Sequence, residues 1–266
     1  MSRNILRRRW GSDLELLDAM PGGRVVGVRD FALITLAGQL AETFPGQLIF
    51  KGGFVLRHAH GHMRFSKDVD ATRHSPPAHK FEAADVAGAI REASIHNVVQ
   101  FDPGAPATDS ARSLDFDNVT ITGELLPSGS VQVEVSYREG ISGTPIPVDV
   151  GAPFYESFEI LTMEPAEMAA EKLRTLAQRD RETDLADLAV LLRDNTDDAR
   201  VAEFAESKFE LVRQGAANRL ERIDGRIQSF AATYNDVVPQ LFLNAPTYDE
   251  AVAIVRPRLK RLVPSG

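Results

Sequence analysis

The sequence predicts an α+β fold: a mixed sheet with helices over residues 1–160, followed by a helical region over 161–266. Three observations carry this. Short alternating or apolar runs, separated by Gly, Pro, Asp and Ser turns, fill most of the first 150 residues. From Pro165 to Leu262 nearly every segment has helical spacing. Between them in importance stands Phe50–Thr72, FKGGFVLRHAHGHMRFSKDVDAT, where a Gly-Gly opens a helix and two aspartates follow on the next strand.

The elements follow in order. Arg3, Arg7, Arg8 and Arg9 crowd the N-terminus beside Trp10, the single tryptophan, which reads as a packing residue. Pro21-Gly22-Gly23 makes a turn. Asp30 is placed to cap a helix over FALITLAGQLAETF, which Pro45-Gly46 ends. Gln47–Phe50 reads as a short buried strand, Gly52 to Ala59 as a second helix, and Phe65–Arg73 as the next strand. After Ser75-Pro76-Pro77 comes a helix over 79–93. Four strand candidates follow at 97–101, 118–125, 131–138 and 146–150, spaced like a largely antiparallel meander. Residues 151–164 form a soft boundary. Pro165 suits a first helical turn. Thr183 is placed to cap the helix carrying Asp184, and Thr247-x-x-Glu250 is a capping box. Pro257 is expected to kink the last helix.

Composition bounds the function. The chain has 266 residues, 43% of them hydrophobic, enough for a sizeable core. The absence of cysteine excludes disulfides, thiolate metal sites and a Cys nucleophile, and fits a reducing cytoplasm. No apolar run reaches membrane-spanning length, and no secretory signal follows the basic N-terminus. The net charge of −8 does not advertise nucleic-acid binding. The basic residues are uneven, however. The N-terminal arginines and the group Arg256, Arg258, Lys260 and Arg261 each read either as a solvated face or as a surface for a phosphate backbone.

The chemistry concentrates around Asp68 and Asp70. On a strand they point the same way, and two close carboxylates repel unless a cation lies between them. Gly52 and Gly53 at a helix start allow backbone N–H groups to approach a phosphate. Ser66 shares the face of Asp68. Metal-dependent nucleotidyl transfer calls for a further acid, and Glu134 supplies one. It lies in Val131–Tyr137, where Val131, Val133 and Val135 face the core and Glu134 the other side. Asp149 is a weaker rival. In the helical half, Lys172 offers a point cation for a triphosphate, and Asp184 would orient either that lysine or the acceptor hydroxyl. His58, His60 and His62 form H-x-H-x-H, read as a solvated or phosphate-facing loop, with zinc as the alternative.

These residues together resemble a known family. Lys51-Gly52-Gly53, then Arg64-Phe65-Ser66-x-Asp68-x-Asp70, then Glu171-Lys172, then Asp184-Leu185-x-Asp187-Leu188, resemble the AbiEii/AbiGii nucleotidyltransferase toxins, which include the MenT toxins. The resemblance runs from about Phe50 to Leu192. It implies a polymerase-β-like nucleotidyltransferase core, Mg²⁺ (or Mn²⁺), a nucleoside triphosphate, an AbiEi-type antitoxin and, for some members, a tRNA 3′ end as acceptor. Carried over by position, Asp68, Asp70, Lys172 and Asp184, joined by Glu134, form the catalytic set. Asp68, Asp70 and Glu134 bind metal, and Lys51, Gly52, Gly53, Arg64 and Ser66 bind nucleotide. Thr183 and Ala186 stand where the family often has Arg and Tyr, which leaves the later acidic role to Asp184 or Asp187.

The sequence thus reads as a Mg²⁺-dependent nucleotidyltransferase, the toxin half of a toxin–antitoxin pair. Nucleotidylation of a protein or small molecule, and a non-catalytic nucleotide- or partner-binding domain, are the alternatives.

Overall fold

The computed structural model describes residues 23–73, 80–95, 98–123, 128–137, 140–152, 155–193, 196–211 and 218–263. The N-terminal arginines, Trp10, the Pro21-Gly22 turn, Ser75-Pro76-Pro77 and Asn97 lie outside these residues. The chain divides into two compact units. The first takes in the described residues up to Gly61, then Phe65–Gly140 and Pro145–Thr162. The second takes in His62–Arg64, Ile141–Thr144 and the described residues from Met163 on.

In the first unit, helix α1 (Gly23–Thr43) is followed by strand β1 (Leu48–Lys51), helix α2 (Gly52–His58), strand β2 (Asp68–Arg73) and helix α3 (Ala83–Glu92). Strands β3 (Gln100–Asp102), β4 (Thr108–Asp109), β5 (Ser113–Thr122), β6 (Gly129–Ser136), β7 (Ile146–Ala152) and β8 (Tyr155–Thr162) complete it. The sheet order is β3-β5-β6-β2-β1-β8-β7, with β4 paired to β5.

Helix α1 begins before the expected cap. Asp30 lies inside it, 1% exposed, and accepts a 2.9 Å bond from Arg57 Nε. A charged partner thus satisfies a buried carboxylate that was expected to cap backbone N–H groups. Phe31, Leu33, Ile34, Leu36 and Leu40 of the same helix are buried in the core.

The sheet is mixed, as expected: β3, β5 and β6 form the antiparallel part of the meander, while β7 does not continue it and pairs with β8. Strand β2 pairs antiparallel with β1 but parallel with β6, and β1 pairs parallel with β8. Strand β8 fills the segment that the sequence left as a boundary. Its alternation at Phe158, Ile160 and Thr162 is short and half polar, and its pairing with β1 is a long-range event invisible to local pattern. Along β2, Val69 and Ala71 are buried while Asp68 and Asp70 are partly exposed. Val131, Val133 and Val135 of β6 are buried and Glu134 is exposed, as the alternation predicts.

The second unit is built from α4 (Pro165–Leu176), α5 (Glu182–Arg193), α6 (Asp198–Leu211), α7 (Arg219–Ser229), and the shorter helices α8 (Tyr234–Val237), α9 (Tyr248–Val255) and α10 (Leu259–Leu262). Pro165 occupies the first turn of α4. Thr247 and Glu250 form the predicted capping box. Around Pro257 a 3₁₀ turn, Arg256–Arg258, separates α9 from α10. Thr183 does not cap α5: it lies within the helix, which begins at Glu182. Leu173, Leu188, Val201, Phe204, Ile223 and Phe230 are buried here. Lys208 and Glu167, both essentially inaccessible, form a 2.6 Å ion pair, and Glu167 also accepts the backbone N–H groups of Ser142 and Gly143. Those extra bonds satisfy carboxylate lone pairs that burial would otherwise leave costly.

Candidate active site

Strand β1 delivers the chain to Gly52, whose φ of +71° is a left-handed value that side chains resist. There is a second reason for glycine. A Cβ built there would strike the Asp70 carboxylate at Oδ2 and would stand 3.3 Å from its Cβ and Cγ. The β1/β2 register, Lys51 opposite Asp70, brings the two together. Gly-Gly and Asp-x-Asp, separated in sequence, are therefore one contact in space. Gly53 is buried in α2.

Ser66 precedes β2, which starts at Asp68 rather than at the expected Phe65. Its hydroxyl still reaches Asp68, donating to Oδ1 at 2.6 Å. Asp70 pairs in register with Glu134 on the parallel strand β6, and Glu134 in turn with Asp115 on β5. Residues in register project to the same face, so Lys51, Asp70, Glu134 and Asp115 form a row across four strands. Lys51 is 8% exposed. Asp115 went unnoticed in the sequence. Ser113 Oγ donates to its Oδ2 at 2.9 Å. Asp149 lies on the far strand β7 opposite Glu159, away from this row.

Among the described residues no three His, Cys, Asp or Glu side chains are grouped closely enough to hold a metal by themselves. Mg²⁺ does not require such a cage. It binds through one or two carboxylates, waters and substrate phosphates, a donor set that Asp68 and Asp70 fit. The H-x-H-x-H run forms no cage either. His58 ends α2, stacks on Phe54 at 4.9 Å, and lies 3.7 Å from Asp30. Burial, aided by Arg57, pushes its pKa down to about 3, so the ring is neutral.

In the second unit, α4 carries Lys172, and α5 carries Asp184 in its first turn and Asp187 three residues further on, on the same face. Lys172 Nζ lies 3.0 Å from Asp184 Oδ1 and 2.8 Å from Asp187 Oδ2. Arg179 holds Asp184 with two bonds of 2.8 and 3.1 Å. Arg64 Nε lies 3.0 Å from Asp187 Oδ1. Burial alone would raise the pKa of Asp184, but Lys172 and Arg179 overcome it and hold the carboxyl below its ordinary range. For Lys172 burial likewise opposes the charge, and Asp187 and Asp184 prevail, raising its pKa. The sequence reading missed Arg179, five residues before Asp184 in the loop between the helices. Its only signal was a cation beside an acid in an otherwise unremarkable loop.

In the C-terminal basic group, two carboxylates pair with three arginines, Asp224 with one and Asp198 with two. Arg256 bonds Asp224 at 2.7 and 2.8 Å, and Arg258 and Arg261 both bond Asp198. Arg258 also donates to the carbonyls of Leu192 and Thr196, tying down the end of α5. Its charges serve the fold, which weakens the phosphate-surface reading of this cluster.

The comparisons with known proteins bear on the same residues. The family model described as "Nucleotidyl transferase AbiEii toxin, Type IV TA system" matches residues 36–254. Among solved structures, the chain resembles MenT4, a nucleotidyltransferase toxin from Mycobacterium tuberculosis H37Rv, with 18% identity over 98% of this chain and 89% of that one, at a TM-score of 0.68. It also resembles JHP933 from Helicobacter pylori, with 16% identity over 88% of this chain and 91% of that one, at a TM-score of 0.53. At these identities the likeness is one of fold. No curated protein sequence matches. The family match spans both units and includes the Gly-Gly, Asp-x-Asp and Lys172 segments. The chain belongs to the AbiEii family of nucleotidyltransferase toxins of type IV toxin–antitoxin systems.

Proposed function

We propose that this nucleotidyltransferase moves a nucleoside monophosphate from an NTP to a 3′ hydroxyl at the end of a tRNA, with Mg²⁺ held by Asp68 and Asp70. The contact that supports this most is Gly52 against Asp70, beside the Ser66–Asp68 bond. Glu134 would complete the acidic face beside Asp70. When bound, the ion would neutralise charge on the triphosphate and on the departing pyrophosphate. Ser66 fixes the orientation of Asp68. The backbone at Gly52 and Gly53 would face the phosphates, with Lys51 near at hand. Lys172 is the cation we assign to the triphosphate. Of the two roles open to Asp184, orienting Lys172 fits best, because a carboxylate held ionised by Lys172 and Arg179 is a poor proton acceptor. In the reaction the acceptor hydroxyl oxygen bonds to the α-phosphorus and gives its proton up to water, the bond to the bridging oxygen breaks, and pyrophosphate leaves with that electron pair. The antitoxin would be of AbiEi type and the site of action the cytoplasm; no helix among the described residues is long and apolar enough to cross a membrane.

A second reading, transfer to a protein or small molecule, is favoured by the ion-paired C-terminal arginines. One experiment separates them. The protein is incubated with each α-labelled NTP, Mg²⁺, and total RNA or cell protein. Label in tRNA, with acceptor binding that weakens steeply as salt rises, supports the first reading. Label confined to protein supports the second, and no label in any fraction overturns both.

A further inference from the structure

The charges around Lys172 alternate in a chain: Arg179, Asp184, Lys172, Asp187, Arg64. Each carboxylate touches the ammonium on one side and a guanidinium on the other. Asp187 is fully buried, and the Arg64 and Lys172 side chains are 14% and 13% exposed. The position of Arg64 is set by its own backbone. Arg64 forms an isolated antiparallel bridge with Phe242, and Leu243 N–H donates to Met63 O at 2.7 Å. The guanidinium lies 5.9 Å from the centre of the Phe242 ring. Tyr234, also buried, lies within the field of Asp187, which together with burial raises its pKa.

We propose that Arg64 and Asp187 are positioning residues that set the place and the effective charge of Lys172. This deepens, and rests on, the assignment of Lys172 to the triphosphate. An ammonium between two carboxylates is well located but electrically cancelled. A phosphate gains nothing from a cation whose charge is already matched. Arg64 shares the charge of Asp187 and so returns part of the charge of Lys172 to the substrate. Arg179 does the same through Asp184. What this place calls for is a cation near Asp187 and the Phe242 ring, so the charge of residue 64 counts for more than its hydrogen-bond geometry. Arg64 therefore serves the nucleotide through Lys172 and not by touching it.

The test is a double-mutant cycle on the full chain with Arg64→Met, Asp187→Asn and the pair, reading NTP affinity by calorimetry and kcat/KM by label transfer. Either single change is expected to lower kcat/KM by about tenfold or more, and the double change to be no worse than the worse single one. Arg64→Lys is expected to recover most of the loss, with an unaltered melting temperature. If the two effects multiply, or if Arg64→Met weakens NTP binding equally in the Asp187→Asn background, Arg64 contacts the nucleotide directly and the proposal fails while the assignment of Lys172 stands. If Lys172→Met binds and transfers NTP as the wild type does, the underlying assignment is what fails. Should Arg64→Met not fold, Arg64→Gln, which also removes the charge, takes its place in the same cycle.

Discussion

The carboxylate of Asp70 occupies the space that a side chain on Gly52 would need. The residue that opens the helix and the acid proposed to hold the metal are thus fixed to each other. Any β-carbon at position 52 must displace the acid or the backbone, and it must also accept a left-handed φ. Gly52→Ala is expected to cost roughly 1–3 kcal/mol of stability. It is also expected to reduce nucleotide transfer at least about a hundredfold, since a 1 Å displacement of a reacting group has that effect. Thermal unfolding and label transfer on the same preparation check both. Wild-type activity in a folded Gly52→Ala protein would show that the contact does not matter.

The Ser66–Asp68 bond predicts a graded series. Asp68→Asn and Asp70→Asn should each remove transfer to background, because neutral amides no longer attract a cation. Ser66→Ala should reduce it by about tenfold, the weight of one charge-assisted hydrogen bond. An inverted order in Mg²⁺-dependent label transfer would refute the assignment of Asp68 as the primary acid.

His58 gives a pH dependence with a definite sign. Its folded pKa, about 3, lies below its unfolded value near 6.5. Below pH 6.5 the unfolded chain binds a proton that the folded chain refuses. Stability from this residue is therefore present at higher pH and declines as pH falls, by about 1.4 kcal/mol per unit between those limits. Denaturant unfolding at pH 7 and pH 5 should show a drop of about 2 kcal/mol in the wild type that His58→Gln lacks. Equal drops in the two proteins would mean that His58 is charged when folded.

Lys208 and Glu167 give a stability prediction away from the chemistry. Lys208→Met leaves Glu167 buried with only the N–H groups of Ser142 and Gly143. A loss of about 3–5 kcal/mol is expected. Lys208→Met with Glu167→Gln should recover part of it. Urea unfolding measures both, and an unchanged midpoint in the single variant would show that the pair adds nothing to stability.

Much of this was legible in the residues. Alternation at Val131, Val133 and Val135 gave β6 and the outward face of Glu134. The capping box at Thr247 and Glu250 and the first-turn Pro165 read correctly because each is satisfied within one helical turn. Asp30 and Thr183 read wrongly for a common reason: a short polar residue before an apolar run looks like a cap, and only the folded chain reveals Arg57 beside Asp30. The Lys172 network was half visible. Glu171-Lys172 and Asp184-Leu185-x-Asp187 stand out in sequence, but Arg179 and the reach of Arg64 to Asp187 depend on how the helices and the His62–Arg64 segment fold together. Strand β8 was missed because its own alternation is half polar; its hairpin with β7 is local, but its place beside β1 is fixed by a residue more than a hundred positions earlier.

That last pairing has a bearing on how a cell survives making this protein. Strand β1, which ends at Lys51 just before Gly52, is bordered by β2 on one side and by β8 on the other. A nascent chain that has not yet exposed Tyr155–Thr162 leaves β1 with an open edge, and an unpaired edge frays and recruits other strands. The support for the Gly52–Asp70 contact thus arrives only after more than half of the chain has been translated. Lys172 and its carboxylates come later still. The set of residues proposed for the chemistry is therefore complete only once Asp187 has been translated, well past the midpoint of synthesis.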